Sequence, residues 1–120
     1  MGRNDEILIQ CDIIKYLQSK DIYAVYVPNE LGGKNAVRTM QAITAGLKPG
    51  FSDLIVFLPM QTKPDKIIFV EVKSPKKWIQ STNQKKFEKK MHSFGYDYHL
   101  VFSVDDMQKI VENHVAQHWF

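Results

Sequence analysis

The sequence predicts a mixed α/β (α+β) domain, with a central mixed sheet of about four strands flanked by helices. Three observations carry that prediction. Segments with apolar residues at helical spacing alternate along the chain with short β-branched and aromatic runs. Two of those runs, 54–58 and 67–72, are separated by a turn-rich break at 59–65 and read as a hairpin. From residue 67 to about 103 a strand, a helix and another strand follow one another, which calls for a right-handed crossover if the strands are parallel.

Composition sets the outer bounds. A chain of 120 residues is expected to form one domain, 1–120, and to bury most of its surface without disulfides or metals. Charged residues make up 24 %, which fits a globular rather than a disordered chain. The single cysteine, Cys11, rules out an internal disulfide and points to a reducing compartment. No apolar run approaches about 18 residues and no signal-peptide layout opens the chain, so a cytoplasmic protein without a membrane segment is expected.

Taken in order, the first element is a helix over about 5–19, capped by Asn4 or Asp5. Ile7, Cys11, Ile14 and Leu17 give it an apolar stripe, with Glu6, Gln10 and Ile13 on the adjoining one. By itself Glu6 reads as an acid in the first turn, favoured by the helix dipole. Residues 22–27 read as a strand ended by Pro28, and 29–35, with Gly32 and Gly33, as a loop. A helix over 36–47 carries Val37, Met40, Ile43 and Leu47 on one face. Lys34, Arg38 and Lys48 surround it; a Gly-Gly loop among basic residues suits a phosphate backbone, although a plain turn is the commoner use.

After the hairpin, Ser74-Pro75-Lys76-Lys77-Trp78 is a loop that Pro75 keeps out of the sheet. Ser81 or Thr82 caps a helix through about Phe94, and Gly95 stops it. Phe87, Met91 and Phe94 are expected to face the core, and Gln84 sits in the first turn. A strand over 98–103 follows. Ser103-Val104-Asp105-Asp106 then has capping-box spacing and opens a last helix carrying Met107, Ile110, Val111 and Val115. The terminal Trp119-Phe120 needs cover, either from the core or from a second subunit.

The hairpin is where chemistry is expected. A register symmetric about the loop pairs Ile55 with Phe69, Val56 with Ile68 and Phe57 with Ile67, and sets Asp53 opposite Glu71. Like charges across a ladder repel, and a fold that keeps them usually holds a cation between them. Lys73, two residues past Glu71, lies on the same face. Asp and Glu offer hard oxygens suited to Mg²⁺ or Mn²⁺, the Val72 carbonyl is placed to complete the set, and a lysine stabilises charge on a phosphate in the transition state. The plainer alternative is an Asp at a strand start and a Glu–Lys pair fraying into solvent.

Charge distribution favours the site. Residues 73–90 hold seven lysines and one acid, a net +6 against −3 for the remainder. Basicity beside paired acids points to a polyanionic substrate. Lys34, Arg38, Lys48, Lys76, Lys77 and Lys85 are the candidates for backbone contacts. Trp78 has the position to stack on an unpaired base, or else to pack over a helix start. His114 and His118 have the i, i+4 spacing of a metal pair but no third ligand, and His92 and His99 have no inferable partner.

Gly50-Phe51-Ser52-Asp53, Phe69-Val70-Glu71-Val72-Lys73-Ser74-Pro75 and Ser81-Thr82-Asn83-Gln84 together resemble the VRR-NUC (virus-type replication-repair nuclease) family of the PD-(D/E)xK superfamily. Glu6 to Gln10, Pro28 to Gly50, Phe94-Gly95-Tyr96 and Ser103 to Asp106 resemble its stand-alone, phage-type members, so the likeness covers nearly the whole chain. The resemblance implies a restriction-endonuclease-like core and a Mg²⁺- or Mn²⁺-dependent endonuclease acting on DNA. It makes Asp53 and Glu71 metal ligands with the Val72 carbonyl beside them, Lys73 the catalytic lysine, Glu6 an additional acid near the metal and Gln84 the helix glutamine that supports the site. Ser52 departs from the family's usual proline, which bears on loop rigidity. Members of this kind are similar to Holliday-junction resolvases, so a homodimer cutting four-way junctions is the leading expectation. Cleavage of flap, linear or single-stranded DNA, or a silent nucleic-acid-binding module on the same fold, are the alternatives.

Overall fold

Apolar residues placed on both faces of the central strands need cover on both sides; the helices Gly2–Ser19 and Val104–His118 provide it on one face and the helix Thr82–Ser93 on the other. The computed structural model describes residues 2–28, 36–62, 64–76 and 78–118. The elements are α1 (Gly2–Ser19), β1 (Tyr23–Tyr26), α2 (Ala36–Thr44), β2 (Leu54–Leu58), β3 (Lys66–Val72), α3 (Thr82–Ser93), β4 (Asp97–Val101) and α4 (Val104–His118). The strands form one mixed sheet in the order β1-β2-β3-β4. The first two pairings are antiparallel and β3–β4 is parallel, reached through α3 as a crossover. The hairpin register is the symmetric one: Ile55 pairs with Phe69, Val56 with Ile68 and Phe57 with Ile67.

One face of the sheet carries Leu54, Val56, Leu58, Ile68, Val70, Val72 and Val101, and packs against Ile13 and Leu17 of α1 and Met107 and Val111 of α4. The other face is aromatic. Phe69, Phe87 and Tyr98 form its buried centre, with Phe51, Ile55 and Met91 around them. Phe51 reaches Phe87 with ring centroids 4.5 Å apart, which ties the loop before β2 to α3. That contact fixes where the candidate site forms.

Several local expectations are corrected. On α1 the buried positions are Ile13 and Leu17, while Ile7 and Cys11 are exposed. Apolar residues lie on two adjoining stripes of this helix, so periodicity alone cannot choose between them; the way α1 lies across α4 and the sheet selects the stripe that also carries Glu6. Phe94 is the C-cap residue of α3 and remains exposed, because Tyr96 takes the place against Phe69 at a centroid distance of 5.6 Å. The last helix takes over at Ser103, so β4 stops at Val101. There the Ser103 hydroxyl accepts from the Asp106 N–H at 3.2 Å, but the Asp106 carboxylate accepts from Phe102 rather than from the cap residue, at 2.8 Å. α2 ends at Thr44, and its Val37, Met40 and Ile43 are exposed.

His114 is a core residue. It is buried and its Nε2 lies 2.9 Å from the Pro59 carbonyl, which can only accept, so the ring donates from that nitrogen. The His118 side chain, Trp119 and Phe120 lie outside the described residues, as do Lys34 and Lys77. Among the described residues no helix is long and apolar enough to cross a membrane.

Candidate active site

The site forms where β3 ends and α3 begins. One step beyond the pair Leu54–Val70, the ladder sets Asp53 opposite Glu71. No main-chain ladder continues there, and the Asp53 side chain takes its place: Oδ2 accepts from the Val72 N–H at 2.8 Å. Glu71 is 3 % exposed and Lys73 is 7 % exposed, so neither frays into solvent.

Gln84 joins these groups. It occupies the third position of α3, where the Ser81 cap requires a side chain reaching back; its Oε1 accepts from the Ser81 N–H at 2.8 Å, and the Ser81 hydroxyl accepts from the Gln84 N–H at 3.1 Å. The same Oε1 accepts from Lys73 Nζ at 2.9 Å, while Nε2 donates to Glu71 Oε2 at 2.9 Å. Two donors on one oxygen and an acceptor at the nitrogen fix the orientation of the amide. A capping residue therefore also spaces the lysine from the glutamate, whose Nζ and Oε2 are 3.9 Å apart.

Gly50, which opens the Gly50-Phe51-Ser52-Asp53 motif, holds the two halves of the site together, a contact the motif by itself does not reveal. Its φ is +84°, and a Cβ there would lie 2.3 Å from Asn83 C, 2.4 Å from Asn83 O and 2.7 Å from Gln84 N. The loop carrying Asp53 thus lies directly on the peptide that carries Gln84. The only sequence signal was a glycine three residues before the aspartate; the close approach is a tertiary fact. Ser52, in the place of the expected proline, is fully buried and its hydroxyl donates to the Leu54 carbonyl at 3.1 Å. The Asp53 carbonyl accepts from Val27 N–H at 2.8 Å. Loop rigidity comes from these contacts instead of a pyrrolidine ring.

Electrostatics set this cluster apart from an ordinary ion pair. Burial, then the Asp53 charge, pushes the Glu71 carboxyl far above the usual carboxylate range, and Glu6 adds a smaller push in the same direction. Asp53 is also raised, mainly by burial, although the Val72 N–H, Glu71 and Lys73 favour its charged form. With both acids ionised, Glu71 Oε1 is buried and has no hydrogen-bond partner among the described residues. An orphaned buried carboxylate oxygen beside a second carboxylate is the arrangement a hard divalent cation satisfies. The donor set therefore fits Mg²⁺ or Mn²⁺.

Other candidate positions are less convergent. Glu6 acts on Glu71 through its charge, but among the described residues no three carboxylate, histidine or cysteine side chains close into a metal cage. Two carboxylates leave the remaining positions to main-chain oxygen and water, as Mg²⁺ commonly accepts. Lys85 is exposed next to Gln84, and Lys48 is exposed at the root of the Gly50 loop, its carbonyl accepting from Phe51 N–H at 3.1 Å. Lys76 Nζ lies 3.8 Å from Asp5 of α1. Arg38 is exposed on α2, an element apart from the cluster. A further missed residue is Tyr98, buried on the aromatic face with its hydroxyl accepting from Gln80 at 3.4 Å; burial and the Glu71 charge hold its proton far above the ordinary phenol range.

A pH prediction follows from Glu71. Its folded-state pKa exceeds the unfolded one, so between the two values the folded protein keeps a proton that the unfolded chain has released. Without divalent cations, stability is expected to fall as pH rises from about 5 to 8.5, by at most about 1.4 kcal/mol per pH unit. Glu71→Gln flattens that slope, and saturating Mg²⁺ lifts the wild-type curve at high pH. Thermal unfolding in EDTA across this range checks it; a wild-type midpoint that rises with pH would contradict the assignment.

Comparison with known proteins gives the frame for this geometry. No curated protein matches the chain. A solved structure described as a VRR_NUC domain protein superposes with a TM-score of 0.71 at 15 % identity, covering 93 % of this chain and 88 % of that one. At that identity the likeness establishes the fold, a mixed sheet flanked by helices. The VRR-NUC domain profile matches residues 9–105, a span that includes Gly50, Asp53, Glu71, Lys73 and Gln84 and leaves Glu6 outside. With a profile match over most of its length and the same fold, the chain belongs to the VRR-NUC family and has its nuclease-type fold.

Proposed function

We propose that the protein, working as one domain over residues 1–120, is a Mg²⁺- or Mn²⁺-dependent endonuclease that hydrolyses phosphodiester bonds in DNA. The observation that carries this reading is the orphaned Oε1 of buried Glu71 beside Asp53, with Lys73 held at a fixed distance by Gln84. Asp53 and Glu71 would hold the cation with the Val72 carbonyl beside them, and Glu6 contributes negative potential from α1. A divalent cation bound there supplies an acidified water and offsets charge on the scissile phosphate. The chain's own residues do the rest. Lys73 presents its ammonium to the phosphate oxygens or to the attacking water, in a site dry enough to strengthen that interaction. Gln84 is a positioning residue, acting through Lys73 and Glu71. Lys48, Lys76 and Lys85, with Lys34, Arg38 and Lys77, are assigned to the DNA backbone, where contacts are sequence-independent.

Within this reading we assign four-way junctions as substrate and a homodimer as the acting form. A two-fold dimer places two sites for symmetric cuts. The exposed Val37, Met40 and Ile43 on α2 are a surface that a second copy would cover.

The test is a panel of four-way junction, flap, linear duplex and single strand, incubated with Mg²⁺, Mn²⁺ or EDTA. Paired, metal-dependent nicks in the junction are expected. Tight binding with no cleavage in either metal would reject the enzyme and leave a binding module. Equal cutting of all four substrates would reject junction preference but keep the nuclease. Sedimentation showing a strict monomer, both free and on DNA, would reject paired cutting.

A further inference from the structure

The stretch between β3 and α3 leaves the site directly after Lys73, whose N–H donates to the Val101 carbonyl at 2.9 Å. Both ends of this stretch are tied down. Ser74 is fully buried and its hydroxyl accepts from the Lys76 N–H at 3.3 Å. Gln80 donates to Glu88 at 2.8 Å and to the Tyr98 hydroxyl at 3.4 Å. Between these anchors the chain exposes two large apolar side chains: Trp78 is 45 % exposed and Ile79 is 77 % exposed. The Trp78 ring meets Phe102, the residue after Val101, at 5.1 Å in an edge-on contact. Trp78 is thus held beside the strand end that carries Lys73, with nearly half of its surface exposed.

Exposed apolar surface this close to the site needs an occupant, and its surroundings say which. Lys76 has a side chain 80 % exposed, and Lys85 and Lys86 are exposed on the first turns of α3. A flat aromatic and a branched aliphatic side chain set among cations fit a ligand with a polyanionic backbone and planar apolar faces. A nucleobase on a DNA strand has both. The patch is small, two side chains, which suits one base step and not a protein interface. By the strand spacing and the ring separation, Trp78 lies on the order of 10 Å from Lys73, two or three nucleotides along a strand.

We propose that Trp78 and Ile79 form an apolar wedge that stacks on an unpaired or terminal base a few nucleotides from the cut, so that this loop sets a preference for branched DNA over continuous duplex. In continuous duplex every base is already stacked, and engaging the wedge requires unstacking a step. At a branch point an end of the stack is available without that cost. The proposal rests on the nuclease reading above, and its test separates the two.

Binding to a four-way junction, a flap and a continuous duplex of equal length is measured in EDTA, with tryptophan emission recorded during each titration. The other tryptophan is Trp119, so the difference between wild type and Trp78→Phe isolates Trp78. The expected result is quenching of Trp78 by junction and flap but not by duplex. Trp78→Ala is expected to lose about tenfold in affinity for the branched DNAs and under about twofold for duplex. Trp78→Phe keeps branched affinity within about threefold, and Ile79→Ser loses part of the discrimination without touching the Phe102 contact. If wild type binds and, with Mg²⁺, cuts these DNAs, yet Trp78→Ala and Ile79→Ser leave the branched-to-duplex ratio unchanged and Trp78 emission stays unquenched, the wedge is overturned and the nuclease stands. If wild type binds none of the DNAs, the nuclease reading fails and the wedge with it.

Discussion

Lys73→Ala is expected to lower single-turnover cleavage by about 10²- to 10³-fold at saturating Mg²⁺, while DNA affinity in EDTA stays within about threefold. The reasoning starts from burial. Lys73 is 7 % exposed and its ammonium is committed to Gln84 Oε1 at 2.9 Å, so it has little freedom to serve as one more backbone contact. Its charge matters where negative charge develops on the phosphate, and that is a transition-state contribution. Removing it also takes away the nearest cation to Glu71 and Asp53. The variant is therefore expected to be less stable without metal and to regain more of its stability on adding Mg²⁺ than wild type does. Lys73→Met, which fills the space without the charge, separates packing from electrostatics. Cleavage within tenfold of wild type in Lys73→Ala would remove the lysine from the mechanism.

Gly50→Ala is expected to be the most destabilising small substitution in the chain outside the apolar core. The added methyl would meet backbone atoms of Asn83 and Gln84 at 2.3 to 2.7 Å, and backbone cannot rotate aside as a side chain can. The residue also sits at φ +84°, which an alanine adopts only under strain. Together these cost about 2–4 kcal/mol, a fall of the order of 10 °C or more in Tm. Gly95→Ala supplies the control: its φ is +89° but nothing lies within 4 Å of the added Cβ, so it carries the strain without the collision. If the loop yields instead of the fold, Asp53 and Gln84 separate, and cleavage falls further than the loss of folded protein explains. Equal Tm shifts for the two glycines would show that the contact with Asn83 and Gln84 is unimportant.

Much of the site was legible because it depends on short-range rules. A hairpin register is set by its turn and by apolar pairing, so the facing of Asp53 and Glu71 follows from Ile55–Phe69 and Phe57–Ile67. Period-2 alternation put Lys73 on the Glu71 face. Ser81 reads as one of two candidate caps with Gln84 in the first turn of the helix, but a supporting role for Gln84 comes only from the family resemblance, and its contacts with Lys73 and Glu71 are tertiary. The role of Glu6 was not legible in that way. Two stripes of α1 competed, and periodicity favoured the one with Ile7 and Cys11, both of which the structure leaves exposed.

What the sequence by itself determined was the order of the elements, the hairpin pairing and the caps at Ser81 and Ser103, all of which rest on contacts within a few residues or across one turn; the cap expected at Asn4 or Asp5 does not form, because α1 already starts at Gly2. The approach of Gly50 to Asn83, the selection of the Glu6 stripe, the burial that lifts the Glu71 carboxyl and the exposure of Trp78 and Ile79 beside Lys73 were decided only by the tertiary structure. The reason is physical. Periodicity and capping fix directions along one element, whereas close approach, desolvation and exposure depend on how separate elements meet, and no local pattern encodes that meeting.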